Sequence, residues 1–71
     1  MEVFIIMEFI LCNVYFYNEH LHSVYGSFEE AKTMVDTLLV INKKRAGEVL
    51  IQIIRMEIGN TKREILFSSE S

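Results

Sequence analysis

Residues 24–39 read VYGSFEEAKTMVDTLL, and this stretch carries the signals that begin a helix. Gly26 allows the chain to turn, and the hydroxyl of Ser27 is suited to cap the first N–H groups of a helix. Glu30 follows three residues later and completes an S-x-x-E capping box. The stretch therefore predicts an amphipathic helix over residues 28–42. Its apolar face, at helical spacing, carries Phe28, Ala31, Met34, Val35, Leu38 and Ile41.

Four segments with the composition of strands surround this helix, two before it and two after it. The pair Gly59-Asn60 indicates a tight turn between the last two of them. The chain is therefore predicted to be a single small α+β domain, 1–71, with the element order β-β-α-β-β. The four segments are EVFIIMEFIL (2–11), HLHSVY (20–25), EVLIQIIRMEI (48–58) and KREILF (62–67).

The polarity of the four strands predicts their order in the sheet. The first and third strands are the most apolar and are expected at the centre, with the second and fourth at the edges. The order 2-1-3-4 satisfies this with every neighbouring pair antiparallel. The segment CNVYFYN (12–18) either extends the first hairpin or forms a tyrosine-rich loop, and the polar end 68–71 is expected to fray.

One helix covers only one face of a four-stranded sheet, and both central strands are apolar on both faces. On the first strand, the helix-facing core is assigned to Val3, Ile5, Met7, Phe9 and Leu11. The far face then carries Phe4, Ile6 and Ile10, together with Ile54 of the third strand. A contiguous apolar patch of this kind marks an interface, so a homodimer or higher oligomer is expected. Alternatively, residues 12–18 fold back over that face. A salt bridge is expected at its rim, between Glu8 and Arg55 if the first and third strands are neighbours, with the exact pairing left open.

Composition excludes several classes of function. The chain has 71 residues, a net charge of −3 and a single cysteine. The acidic balance argues against nucleic-acid binding, and the lone cysteine excludes an intrachain disulfide. The apolar segment 3–17 is too short to span a membrane and lacks the basic flank of a signal peptide. A cytoplasmic protein is expected.

Catalytic and metal-binding signals are weak in this sequence. His20 and His22 are two residues apart on a predicted strand, and with Cys12 or Glu19 they suggest a metal site only if a further ligand is added. We interpret both histidines as solvent-facing edge residues. Cys12 is interpreted as a small buried hydrophobic residue rather than as a nucleophile. No catalytic residue, metal or cofactor is predicted, and the protein is expected not to be an enzyme.

A ligand site is the main alternative to a protein interface. Stacking surfaces for a base and positive charge for a phosphate would together form a nucleotide pocket at a subunit boundary. Because solvated strand faces and a solvated helix end account for the same residues, this remains the second hypothesis. The residues concerned are Tyr15, Tyr17, Tyr25, Arg45 and Arg55.

The segment VYGSFEEAK (24–32), with strands before it and an Ile-rich strand after the helix, resembles a small domain of bacteriophages and their Bacillus-type hosts. In that group a strand ending in Phe or Tyr is followed by a small residue, Ser and an E-x-A helix. The resemblance covers roughly residues 2–58 and transfers no site residues. It implies a small phage accessory protein that binds and inhibits a host protein, including components of antiphage defence.

Overall fold

The computed structural model describes residues 1–12, 17–45 and 47–69 of the chain. The predicted α+β architecture is confirmed, with small differences at the ends of elements. The second strand begins three residues earlier than predicted, and the helix ends one residue earlier. The elements are β1 (Glu2–Leu11), β2 (Tyr17–Tyr25), α1 (Phe28–Ile41), a 3₁₀ turn (Lys43–Arg45), β3 (Val49–Glu57) and β4 (Arg63–Ser68).

The four strands form one sheet in the order β2-β1-β3-β4, as predicted from their polarity. Every neighbouring pair is antiparallel. Since β1 runs antiparallel to both of its neighbours, β2 and β3 run parallel to each other, and α1 connects them across β1. This connection places the helix over the centre of the sheet.

Both edge strands carry one extra residue relative to their central neighbour. In β2 the extra residue is His22, opposite the Ile6–Met7 step of β1. In β4 it is Leu66, opposite the Ile53–Ile54 step of β3. Such bulges shift the alternation of side chains by one position and increase the local twist of the strand.

The ends of α1 are capped by side chains that the sequence places there. The hydroxyl oxygen of Ser27 accepts a hydrogen bond from the backbone N–H of Glu30 at 3.2 Å, as predicted. The same hydroxyl donates to Oε1 of Glu30 at 3.3 Å. At the other end, the backbone N–H and the Nδ2 amide of Asn42 both donate to the carbonyl of Leu38 at 2.9 Å, which closes the helix.

The hydrophobic core lies between α1 and one face of the sheet. Phe28 at the start of the helix meets Phe4 edge-on, with ring centroids 6.4 Å apart. Ile41, predicted on the apolar face of the helix, is instead 71% exposed, and it is the last residue of α1. The core consists of Phe4, Ile6, Ala31, Val35, Leu38, Val49, Ile51 and Ile53, with Ile10, Tyr25, Met34, Leu66 and Phe67 packed against it.

The predicted assignment of the two faces of β1 is therefore wrong. Phe4 and Ile6, expected on the far face, are 8% and 0% exposed in the core beneath the helix, and Ile10 packs against the same cluster. The alternation of β1 is apolar on both sides, so it does not say which side the helix covers. Glu8 also lies on the helix side, where it is 9% exposed, although a charged residue is typical of an uncovered face.

The end of the chain is more ordered than predicted as far as the structure describes it. Ser68 is the last residue of β4. The backbone N–H of Ser69 donates to the carbonyl of Ile51 at 2.9 Å, and its hydroxyl accepts from the backbone N–H of Ile51 at 2.8 Å. The prediction of a frayed end is thus wrong for these two serines, while residues 70–71 lie outside the described part of the chain.

Candidate interaction surface

The side of the sheet opposite α1 carries no secondary-structure element among the described residues, and we call it the open face. Directly paired residues of neighbouring strands point to the same side of a sheet, so the register assigns its members. They are Val3, Ile5, Met7, Phe9 and Leu11 of β1, Tyr17, Glu19, Leu21 and Val24 of β2, Leu50, Gln52, Ile54 and Met56 of β3, and Arg63, Ile65 and Ser68 of β4.

The open face is mainly aliphatic, and its apolar surface is most accessible towards the two edges. Leu21 and Val24 on β2 are 53% and 50% exposed, and Ile65 on β4 is 59% exposed. Between them the central strands form a shallow hollow, in which Met7 and Ile54 lie at the middle of the sheet. An uncovered apolar patch that spans a whole sheet is typical of a protein interface.

Two opposite charges mark opposite corners of the open face. Glu19 lies on β2, paired with Phe9 near one end of β1. Arg63 lies on β4, paired with Met56 of β3, which itself pairs with Val3 near the other end of β1. Both charged side chains line the central hollow, and both residues are exposed. Neither residue is predicted on this surface from the sequence, because the bulges shift the alternation of side chains in the edge strands.

The predicted interface residues are split between the two faces. Ile54 lies on the open face, with Ile5 as its cross-strand partner. Phe4, Ile6 and Ile10 belong to the helix side, as described above. Among the described residues the apolar face is uncovered, but β1 contributes to it the alternate set of residues, which the sequence predicts for the core. Residues 13–16 of the segment predicted either to extend the first hairpin or to fold back over this face lie outside the described residues.

The residues predicted for a nucleotide site do not come together where the structure describes them. Tyr25 and Arg55 each pair with Phe4 from opposite sides, so two strand spacings separate them. Tyr17 lies at the other end of β2, on the open face. Tyr15 and the side chain of Arg45 lie outside the described residues.

Arg55 is also engaged by two carboxylates. Its Nη1 atom lies 2.7 Å from Oε1 of Glu2, and its Nη2 atom lies 3.2 Å from Oε2 of Glu64. The predicted pairing of Arg55 with Glu8 is wrong, because Glu8 sits opposite Ile51 on β3, four residues away. The hollow around Arg55 balances acidic against basic side chains and offers no net positive field. Its lining residues are Glu2, Arg55, Glu57, Asn60, Lys62, Arg63 and Glu64.

The residues considered for metal binding or nucleophilic chemistry are dispersed. Nε2 of His20 lies 3.9 Å from Oε1 of Glu8, whereas Nδ1 of His22 lies 2.8 Å from the hydroxyl of Ser23. Because His22 is the bulge residue of β2, the two histidines do not follow the regular alternation that the sequence suggested. Cys12 is exposed rather than buried, and its thiol donates to the carbonyl of Ile10 at 3.7 Å. Within residues 1–12, 17–45 and 47–69, no group of three or more His, Cys, Asp and Glu side chains is placed to hold a metal ion.

The chain was compared with protein-family models, curated proteins and solved structures, and none of them is significantly similar to it. In the described part of the chain, no helix has both the length and the apolar character needed to cross a membrane.

Proposed function

We propose that this protein is a non-enzymatic binding protein that self-associates through the open face. In its biological setting it would inhibit or modulate a host protein in the cytoplasm, as a phage-type accessory protein does. The observation that carries the proposal is the uncovered aliphatic face of the sheet, which spans all four strands. The phage-type role rests on the resemblance of residues 24–32 and on the small size of the domain.

The energetics of burial support association through this face. Fully burying a large aliphatic side chain contributes roughly 1.5 to 3 kcal/mol. Leu21, Val24 and Ile65 each retain about half of their exposure. Together they would contribute about 2 to 4 kcal/mol per chain when covered, and twice that in a symmetric dimer. This is comparable with the lower estimates of the cost of association, about 4 kcal/mol and above. The central hollow adds further apolar contact.

No observation favours the alternative, a nucleotide-sequestering site at a subunit boundary. A phosphate approaching Arg55 would have to displace both Glu2 and Glu64, and three carboxylates line the same hollow. The protein-binding hypothesis needs no such rearrangement, because the open face is accessible as it stands.

The experiment is a comparison of oligomeric state by light scattering and sedimentation. Leu21→Glu places a charge on an exposed position of the open face, while Val40→Glu makes the same change on α1, where Val40 is 75% exposed. We expect wild type and Val40→Glu to associate at micromolar concentration and Leu21→Glu to be a folded monomer. A wild type that stays monomeric throughout this range contradicts the proposal.

The same three proteins test the link to a host target. Each is passed as bait through lysate of a candidate host, and captured proteins are compared by mass spectrometry. A target that wild type and Val40→Glu retain and Leu21→Glu loses would tie the open face to the biological role. A target retained equally by all three would place host binding elsewhere on the molecule.

A further inference from the structure

We infer that the open face is covered by a second copy of this chain whose strands cross those of the first near a right angle, with Glu19 of each copy paired to Arg63 of the other. This inference rests on the proposed self-association and specifies its geometry. The charges at the two corners of the face carry it.

The two charged corners are separated along a diagonal of the sheet. In the strand direction, Glu19 is level with Phe9 of β1 and Arg63 is level with Val3 of β1. These positions are six residues apart, which corresponds to about 20 Å between their backbones. Across the sheet they are three strand spacings or about 14 Å apart, since Glu19 is on β2 and Arg63 on β4. The line between them is therefore inclined by roughly 35° to the strands.

Two-fold axes that keep the strands of both sheets aligned leave these charges without partners. An axis parallel to the strands places β4 over β2, but the backbone positions of Glu19 and of Arg63 of the other copy then remain about 20 Å apart along the strand direction. This is too far for an ion pair, even though both side chains extend towards the central hollow. An axis perpendicular to the strands places β2 over β2, and Glu19 then lies over the apolar end of the partner's strand.

A two-fold axis perpendicular to the line between the charges exchanges the two corners and forms both ion pairs at once. This axis is inclined by about 55° to the strands, so the strands of the two copies cross at about 110°. That value falls in the orthogonal class of sheet-on-sheet packing, in which strands cross at close to a right angle. Closed two-fold symmetry of this kind is the commonest form of association between identical chains.

The shape of the apolar patch fits this arrangement. Two crossed four-stranded sheets overlap over a square about 19 Å on a side, or roughly 360 Å² of projected area per chain. The overlap extends from the level of Val3 to that of Phe9 and contains the central hollow, while Leu11 and Tyr17 remain outside it. Doubled for the two chains, the overlap is about 720 Å², which falls in the size class of small, transient interfaces. We therefore expect a dissociation constant in the micromolar range.

The test reverses one charge at a time, with Glu19→Arg in one variant and Arg63→Glu in another. In the homodimer of either variant both corner contacts join like charges, so association at low salt should weaken about tenfold. In a mixture of the two variants, each corner contact of the heterodimer joins one arginine to one glutamate, so the heterodimer should form at least as tightly as wild type. The double variant, which exchanges both charges in one chain, should also recover wild-type affinity. Sedimentation equilibrium and fluorescence titration of labelled chains measure these constants.

Controls separate this geometry from self-association in general. Glu19 and Arg63 are both exposed, so thermal melting of each variant should show an intact fold. Lys62→Glu changes the net charge as Arg63→Glu does, one residue outside β4, and should associate like wild type. The crossed arrangement would be overturned if wild type dimerises but the charge reversals leave the dissociation constant unchanged. It would also be overturned if the single variants associate as tightly alone as in their mixture. Either result would leave self-association in general standing. A monomeric wild type would contradict both.

Discussion

Ile6 of β1 and Ile53 of β3 face each other across the centre of the sheet, and neither exposes any of its surface. Both contact the core cluster that includes Val35 of α1. This pair lies on the side of the sheet that the helix covers. A charge introduced on that side is expected to unfold the protein, whereas a charge introduced on the open face is expected to leave the fold intact and to block the proposed association.

Ile6→Glu is expected to abolish the folded state. The change removes a buried aliphatic side chain, which costs about 2 to 5 kcal/mol, and adds the desolvation of a carboxylate without a partner. A domain of this size has a margin of only about 5 kcal/mol. Far-UV circular dichroism should show no cooperative thermal transition, whereas Leu21→Glu should melt much as wild type does. A folded Ile6→Glu protein would contradict the assignment of the faces.

Ser27→Ala is expected to lower the free energy of unfolding by about 1 kcal/mol, because the backbone N–H of Glu30 loses its capping acceptor. Urea denaturation measures the change. Thr37→Ala is the control: its hydroxyl donates to the carbonyl of Thr33 within the helix, so its loss should have little effect. Equal effects of the two substitutions would mean that the cap does not contribute.

Glu8→Met is expected to raise the free energy of unfolding by about 1 kcal/mol. The carboxylate is enclosed on the apolar side of the sheet, and the neighbouring imidazole is Nε2 of His20, 3.9 Å away on a side chain that is 60% exposed. Replacing an enclosed charge of this kind by a hydrophobic residue is often neutral or stabilising. In the same urea titration, His20→Ala should change stability by less than about 0.5 kcal/mol. A marked loss of stability in Glu8→Met would show that the pair is structurally required.

Addition of a chelator is expected to leave the melting temperature unchanged. His20 and His22 have different neighbours, and Cys12 lies beyond the end of β1. Differential scanning calorimetry with and without EDTA tests this, and metal analysis of the purified protein provides an independent reading. Zinc bound in a one-to-one ratio would contradict the expectation.

The order of the strands and the position of the helix were predictable because they depend on signals that act locally. Ser27 and Glu30 define where the helix begins, and Asn42 interrupts its apolar face at the end. The turn at Gly59, where φ is +89°, joins β3 to β4 in a conformation that favours glycine. The greater polarity of β2 and β4 placed them at the edges of the sheet.

The choice between the two faces of the sheet could not be made in this way. Alternation identifies which residues share a face, but when both faces are apolar it does not identify the face that the helix covers. Glu8 favours the wrong assignment, because a charged residue is typical of an uncovered face whereas its carboxylate lies beside His20 on the covered side. The corner charges Glu19 and Arg63 were missed because their facing depends on the register of the edge strands, and that register follows from tertiary pairing.

The bulges at His22 and Leu66 have a consequence for how the protein behaves at high concentration. A further strand pairs most readily with a regular edge strand, and each edge strand here is interrupted by one bulge. Edge-to-edge pairing of sheets into fibrils is therefore disfavoured at both edge strands. In the proposed dimer the two-fold contact covers the centre of the open face and leaves neither sheet edge extended, so concentrated solutions should remain clear, with particles of a finite size.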